Sequence, residues 1–173
     1  VADKYGADTL RTYILFMGDY GASTPWNENS VRGCKRFLDR VYRIFEKVTD
    51  ENLHSLDNPL HKAIKKVSED IEAMKFNTAI AAIMELSNAA GEYLRAFSPD
   101  DRAACEDHRA LDAEVAEVLV KLVAPFTPHL ADELWREALG REGFVYDQPW
   151  PEYDPDQARA DEVELAVQVN GKV

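Results

Sequence analysis

No apolar run in this sequence reaches about 18 residues, so no membrane-spanning helix is expected. No basic-then-apolar leader opens the chain, which argues against a secretory signal. Glycine is sparse. Gly18 and Gly21 follow no strand and do not make a phosphate-cradling loop. There are two cysteines, Cys34 and Cys105, far apart and not at metal-ligand spacing. Cys105 and His108 form a Cys-x-x-His pair, but without a second pair they make a weak metal site. Four scattered histidines support no Ser/His/acid set, and the abundant carboxylates decorate helix exteriors without converging. Nothing in the chain supports turnover by this piece alone. Cation is also scarce: 20 Lys and Arg stand against 32 Asp and Glu, a net charge of −12. Such a chain repels a polyanion at long range, so any contact with nucleic acid must be local. A cytosolic compartment fits the cysteine usage best.

What is present is apolar periodicity. With 46% apolar residues in 173, one good-sized core is expected, and disorder is not. The segment 27 to 48, NENSVRGCKRFLDRVYRIFEKV, is the most strongly patterned. On a helical wheel Arg32, Arg36, Arg40, Arg43 and Lys47 fall within about 80° of one another. Cys34, Phe37, Leu38, Val41, Ile44, Phe45 and Val48 fall opposite. This predicts a helix with one face on the core and a basic stripe outward. Two explanations of the stripe stay open: a solvated face with intrahelical pairs, to which Asp39 and Glu46 could contribute, or a surface for a phosphate backbone.

The rest reads as more helices. Residues 5 to 17 carry Leu10, Tyr13, Ile14 and Met17 at helical spacing. Trp26 is expected to be a buried packing anchor. Asn58 as N-cap and Pro59 at the first position open a helix seamed by Leu60, Ile64, Val67, Ile71 and Met74. Its Lys62, Lys65 and Lys66 lie off the seam, where they are solvated or extend a basic surface. Asn77 caps another helix, running to about residue 97. Residues 49 to 58, with His54, and 98 to 110 are expected to be loops. Helices over 111 to 123 and from Thr127-Pro128 to Gly140 follow, with His129 as a packing or capping residue. Residues 141 to 161 are expected to be irregular. Residues 162 to 169 alternate as a strand before Asn170-Gly171, a hairpin-turn pair whose return strand is missing. The expectation is an all-α antiparallel helical bundle with an incomplete β-strand at the C-terminus, a piece cut from a larger protein.

The stretch KYGADTLRTYILFMGDYGASTPWNENSVRGCKRFLDRVYRIF (4 to 45) resembles the segment after the catalytic core of leucyl-tRNA synthetases. FNTAIAAIMEL (76 to 86), APFTPHLADELW (124 to 135), WPEYD (150 to 154) and LAVQVNGKV (165 to 173) resemble later landmarks of that family, in the same order, with the bacterial type the nearer likeness. The resemblance implies the helical anticodon-binding domain of class I synthetases. It divides the chain into a junction helix (1–25), the bundle (26–140), and a linker with the first strand of a truncated C-terminal domain (141–173). It implies leucine tRNA and the remaining domains of the same synthetase as partners, with neither DNA nor membrane. The parent would join leucine to its tRNA with ATP and Mg2+; this fragment, lacking the catalytic and editing centres, would need no cofactor. Leucyl enzymes depend little on anticodon bases, so support for the body of the tRNA is the implied role. The candidates for phosphate contact are Arg32, Arg36, Arg40, Arg43 and Lys47, with Arg36 and Arg40 foremost. The alternative is a structural spacer that barely touches RNA.

Overall fold

The structure, a computed structural model, describes residues 1–18, 25–50, 56–95 and 110–159. The expected helices form, with altered ends. Gly6 splits the first into α1 (Ala2–Tyr5) and α2 (Ala7–Phe16). Its φ of 90° lies where a side chain would be strained, so the interruption suits glycine. Helix α3 (Glu28–Ile44) is capped by Asn27, whose Oδ1 accepts from the amides of Asn29 and Ser30 at 2.9 and 3.2 Å. Val31, Cys34, Phe37, Leu38, Val41 and Ile44 are its buried face, as the wheel predicts.

Helix α4 (Asp57–Glu72) begins one residue before Asn58, so Asn58 is not its cap. Its side chain turns outward instead, as described below. Leu60, Ile64 and Val67 are buried, but the expected seam stops short of Met74, which is 56% exposed. Met74 adopts φ 58° in the tight turn to α5 (Phe76–Arg95), and this aims its side chain away from the core. Helix α6 (Ala113–Val123) is shorter than expected because Leu111–Asp112 forms a strand, β2. It pairs in parallel with β1 (Val48–Thr49), Val48 opposite Leu111 and Thr49 opposite Asp112. With two residues in each strand, the described residues outside loops and turns are almost entirely helical.

Helix α7 (Pro128–Glu133) widens into a π-turn over Leu134–Ala138. Gly140, at φ 61°, ends it as expected. Thr127 sits at the N-cap position, yet its hydroxyl donates back to the Val123 carbonyl at 3.1 Å and does not cap. The carboxylate of Asp8, from α2, takes that role. Its Oδ2 accepts from the Leu130 amide at 2.8 Å, and its Oδ1 lies 2.9 Å from His129 Nδ1.

One core cluster joins α3 through α7, with Leu60, Ile64, Ile80, Ile83, Leu119 and Leu122 at its centre. A satellite of Tyr13, Val31 and Cys34 seats α2 on α3. Burial pushes the Cys34 thiol up to about 11, so it is an inert core thiol. Trp26 is 52% exposed and not the buried anchor expected; its ring meets Tyr13 edge-on, centroids 4.8 Å apart.

Residues 148–159 run back along α4, antiparallel to it. Ser68, Lys65, His61 and Asn58 recur at three- and four-residue spacing and form a polar ladder. Ser68 Oγ accepts from Trp150 Nε1 at 2.8 Å. Lys65 Nζ lies 5.9 Å from the Tyr153 ring centroid. His61 Nδ1 accepts from the Asp154 amide at 3.0 Å. Asn58 Nδ2 donates to the carbonyls of Gln157 and Arg159, both at 2.7 Å. Among the described residues no helix is long and apolar enough to cross a membrane. His54, Cys105, His108, residues 162–169 and the Asn170-Gly171 pair lie outside the described residues.

Candidate nucleic-acid interface

All five candidate cations are exposed, and four of them stand on α3. Lys47 lies beyond the helix. The chain tightens at Phe45 and Glu46, and the Lys47 carbonyl is taken by the Leu111 amide at 2.8 Å. The strand pairing therefore ends the helix before the stripe does.

The four arginines differ in what already holds them. Arg32 belongs to a cluster at the start of α3. Its Nε donates to Tyr5 Oη at 3.3 Å, and its Nη2 is 3.6 Å from Glu28 Oε1. Tyr5 donates to the same Glu28 oxygen at 3.0 Å, and Lys4 Nζ reaches it at 3.1 Å. The hydrogen bonds from Lys4 and Tyr5, with the nearby positive charge, hold the Glu28 carboxyl below its usual range. Arg40 Nη1 donates to Asn88 Oδ1 on α5. Arg36 and Arg43 make no hydrogen bond or ion pair with any described residue. Asp39 does not neutralise the stripe, because it pairs with Lys35.

The exposed surface of α3 is therefore divided along its length. Arg40 reaches toward α5, and Arg36 and Arg43 share its face by helical spacing. Asp39, Tyr42 and Glu46 lie toward α7, which adds Glu133 and Glu137 at that side. A recess of about 480 Å³ opens beside Arg32, Lys35 and Arg36. The partners of Arg32 and Arg40 went unseen in the sequence: Tyr5 and Asn88 are 27 and 48 residues away. His129, expected to pack or cap, is exposed, and the capping carboxylate is Asp8. Among the described residues no group of three or more His, Cys, Asp or Glu is placed to hold a metal ion.

A family model described as the anticodon-binding domain of tRNA ligase matches residues 55–173. The chain belongs to this family. It is 40% identical over 175 residues to a leucine–tRNA ligase of Alkaliphilus oremlandii, covering 100% of this chain and 20% of that protein. It is also 40% identical over 187 residues to a leucine–tRNA ligase of Fervidobacterium nodosum, covering 99% and 22%. This anticodon-binding domain thus spans about a fifth of the length of those relatives. Among solved structures it is similar to a LeuRS of Agrobacterium radiobacter K84, in a ternary complex with tRNA and LeuAMS. The TM-score is 0.72 at 29% identity, covering 92% of this chain and 21% of that one.

What the exposed face of α3 offers is charge. Arg36, Arg40 and Arg43 are spaced about one helical turn apart, which lets them follow successive phosphates along a strand. Phosphate contacts position a protein on nucleic acid without reading its sequence.

Proposed function

We propose that this chain is the tRNA-docking domain of a leucine–tRNA ligase, and that the α3 stripe carries the docking. The parent, a class I synthetase of the cytoplasm, joins leucine to its tRNA with ATP and Mg2+. The catalytic and editing centres belong to parts outside this chain. The division into a junction (1–25), a bundle (26–140) and the start of a further domain (141–173) belongs to the same reading. One observation supports it above the rest. Arg36 and Arg43 are exposed and pair with no carboxylate among the described residues, on a chain whose net charge is −12 and where such partners are plentiful.

The structure changes the order of the candidates. Arg40 is engaged by Asn88 and Arg32 by Tyr5 and Glu28, so Arg36 and Arg43 come first. Binding of leucine tRNA across a salt series tests the reading. Arg36→Glu with Arg43→Glu is expected to weaken binding at least tenfold at low salt. The slope of log K on log[salt] should become shallower by about 1.5 to 2, one increment per lost phosphate contact.

A spacer role is the second reading, and the engagement of Arg32 and Arg40 inside the protein speaks for it. In the full enzyme the double variant separates the two. A raised KM for tRNA with unchanged leucine-dependent ATP–pyrophosphate exchange supports docking. Unchanged tRNA kinetics in the folded variant would leave the spacer.

A further inference from the structure

The α3 stripe is not alone on its side of the molecule. Helix α5 packs on both α3 and α4. Arg40 reaches it from one side through Asn88. On the other side α4 and α5 enclose an open groove of about 630 Å³, floored by Ala63, Ala82, Leu86 and Ala89. Lys62, Lys65 and Lys66 line the α4 wall of this groove. Asn88 and Ala89 are consecutive, so the contact with the arginine row and the wall of the lysine groove lie side by side across the exposed edge of α5. That edge carries Glu85, Asn88 and Glu92, all exposed.

The lysines are not equivalent. Lys66 is held by Asp70, its Nζ at 2.6 and 2.7 Å from the two carboxylate oxygens. Lys65 lies over Tyr153. Lys62 makes no hydrogen bond or ion pair with any described residue. Glu69 and Glu85 also line the groove, so it does not attract anions indiscriminately.

We propose that Lys62, with Lys66 behind it, forms a second phosphate-contacting row, and that α5 presents its polar edge to the minor groove of a base-paired RNA stem held between the two rows. This rests on the docking role of α3. Packed helices lie about 8–10 Å apart, so the two rows are separated by roughly twice that. Rows so far apart engage two backbone strands and not one. The minor groove of A-form RNA is wide and shallow and displays 2′-hydroxyls. Those hydroxyls donate hydrogen bonds, and the exposed carboxylates of Glu85 and Glu92 accept them. Carboxylates on a nucleic-acid face repel phosphate, but they suit a place where hydroxyls stand between two lines of phosphate. The acidic edge between basic rows thus has a physical use.

The test uses leucine tRNA, with wild type, Lys62→Glu, Lys62→Ala and the Arg36→Glu/Arg43→Glu double variant compared across a salt series, each checked for native helicity. Lys62→Glu is expected to weaken binding on the order of fivefold and to make the salt slope shallower by about 1, with Lys62→Ala in the same direction and smaller. A short RNA duplex should compete better than the DNA duplex of the same sequence. Wild-type affinity and slope for Lys62→Glu, with the double variant weakened, would overturn the second row and leave α3 standing. If the double variant also bound like wild type, the docking role of α3 would fall too. Equal competition by the DNA duplex would overturn the minor-groove assignment.

Discussion

Asp70 shows how a single charge is made stabilising in this molecule. It is 4% exposed, and burial alone would raise its carboxyl pKa. The hydrogen bonds from Lys66 and Thr78 and the charges of Lys66 and Lys75 outweigh burial, and the pKa lies below its usual value. A depressed folded-state pKa gives stability that is present above the unfolded value, near 3.9. That stability is lost as pH falls through the folded value. Asp70→Asn is expected to destabilise by roughly 1 to 3 kcal/mol at pH 7. In urea titrations the gap from wild type should shrink as the pH is taken below about 4. The Lys66–Asp70 spacing of four is visible in the sequence, but the burial that gives it weight is not. Met74 is the reverse case. Its place at the end of an apolar seam made it look like core, and only the φ of 58° shows that the turn has turned it outward.

The helices themselves were mostly legible because their signals are local. The buried face of α3 follows from spacing alone. The caps expected at Asn58, Asn77 and Thr127 do not form, and other ends are decided by distant chain. Lys47 leaves the helix because Leu111 claims its carbonyl, and β2 shortens α6 for the same reason. A pairing across more than sixty residues leaves no trace in a helical wheel. The α4–α5 turn makes a prediction at this scale. A non-glycine residue in the left-handed region costs about 1–2 kcal/mol, and glycine gives part of that back as unfolded-chain entropy. Met74→Gly should therefore stabilise by about 0.5 to 1 kcal/mol, read as a raised urea midpoint with an unchanged slope.

At the scale of the molecule, the first helices are tied to the last by one carboxylate. Asp8 serves the Leu130 amide and the His129 ring, more than 120 residues on. Asp8→Ala leaves the α7 amide without its acceptor, and a loss of about 1 to 2 kcal/mol in urea unfolding is expected. The stripe was legible as a pattern, since amphipathic spacing alone puts its arginines on one face. Which of them are engaged within the protein was not, because Tyr5, Glu28 and Asn88 reach Arg32 and Arg40 through space. The likeness to tRNA ligases reached the architecture, while the assignment of contacts rests on those side chains.

The polar ladder on α4 has a mechanical side. The chain it holds runs antiparallel to the helix, and the last described residue, Arg159, sits at the Asn58 end. A force applied at Arg159 and directed away from the helix does not load the ladder as a whole. It loads Asn58 first, then His61, then Lys65, and Ser68 last, so each contact yields alone at a small force. The same contacts pulled along the helix axis would share the load and resist together. The attachment is thus stiff to sliding and soft to peeling, and a pull at Arg159 can lift this segment while the apolar core beneath α4 stays closed.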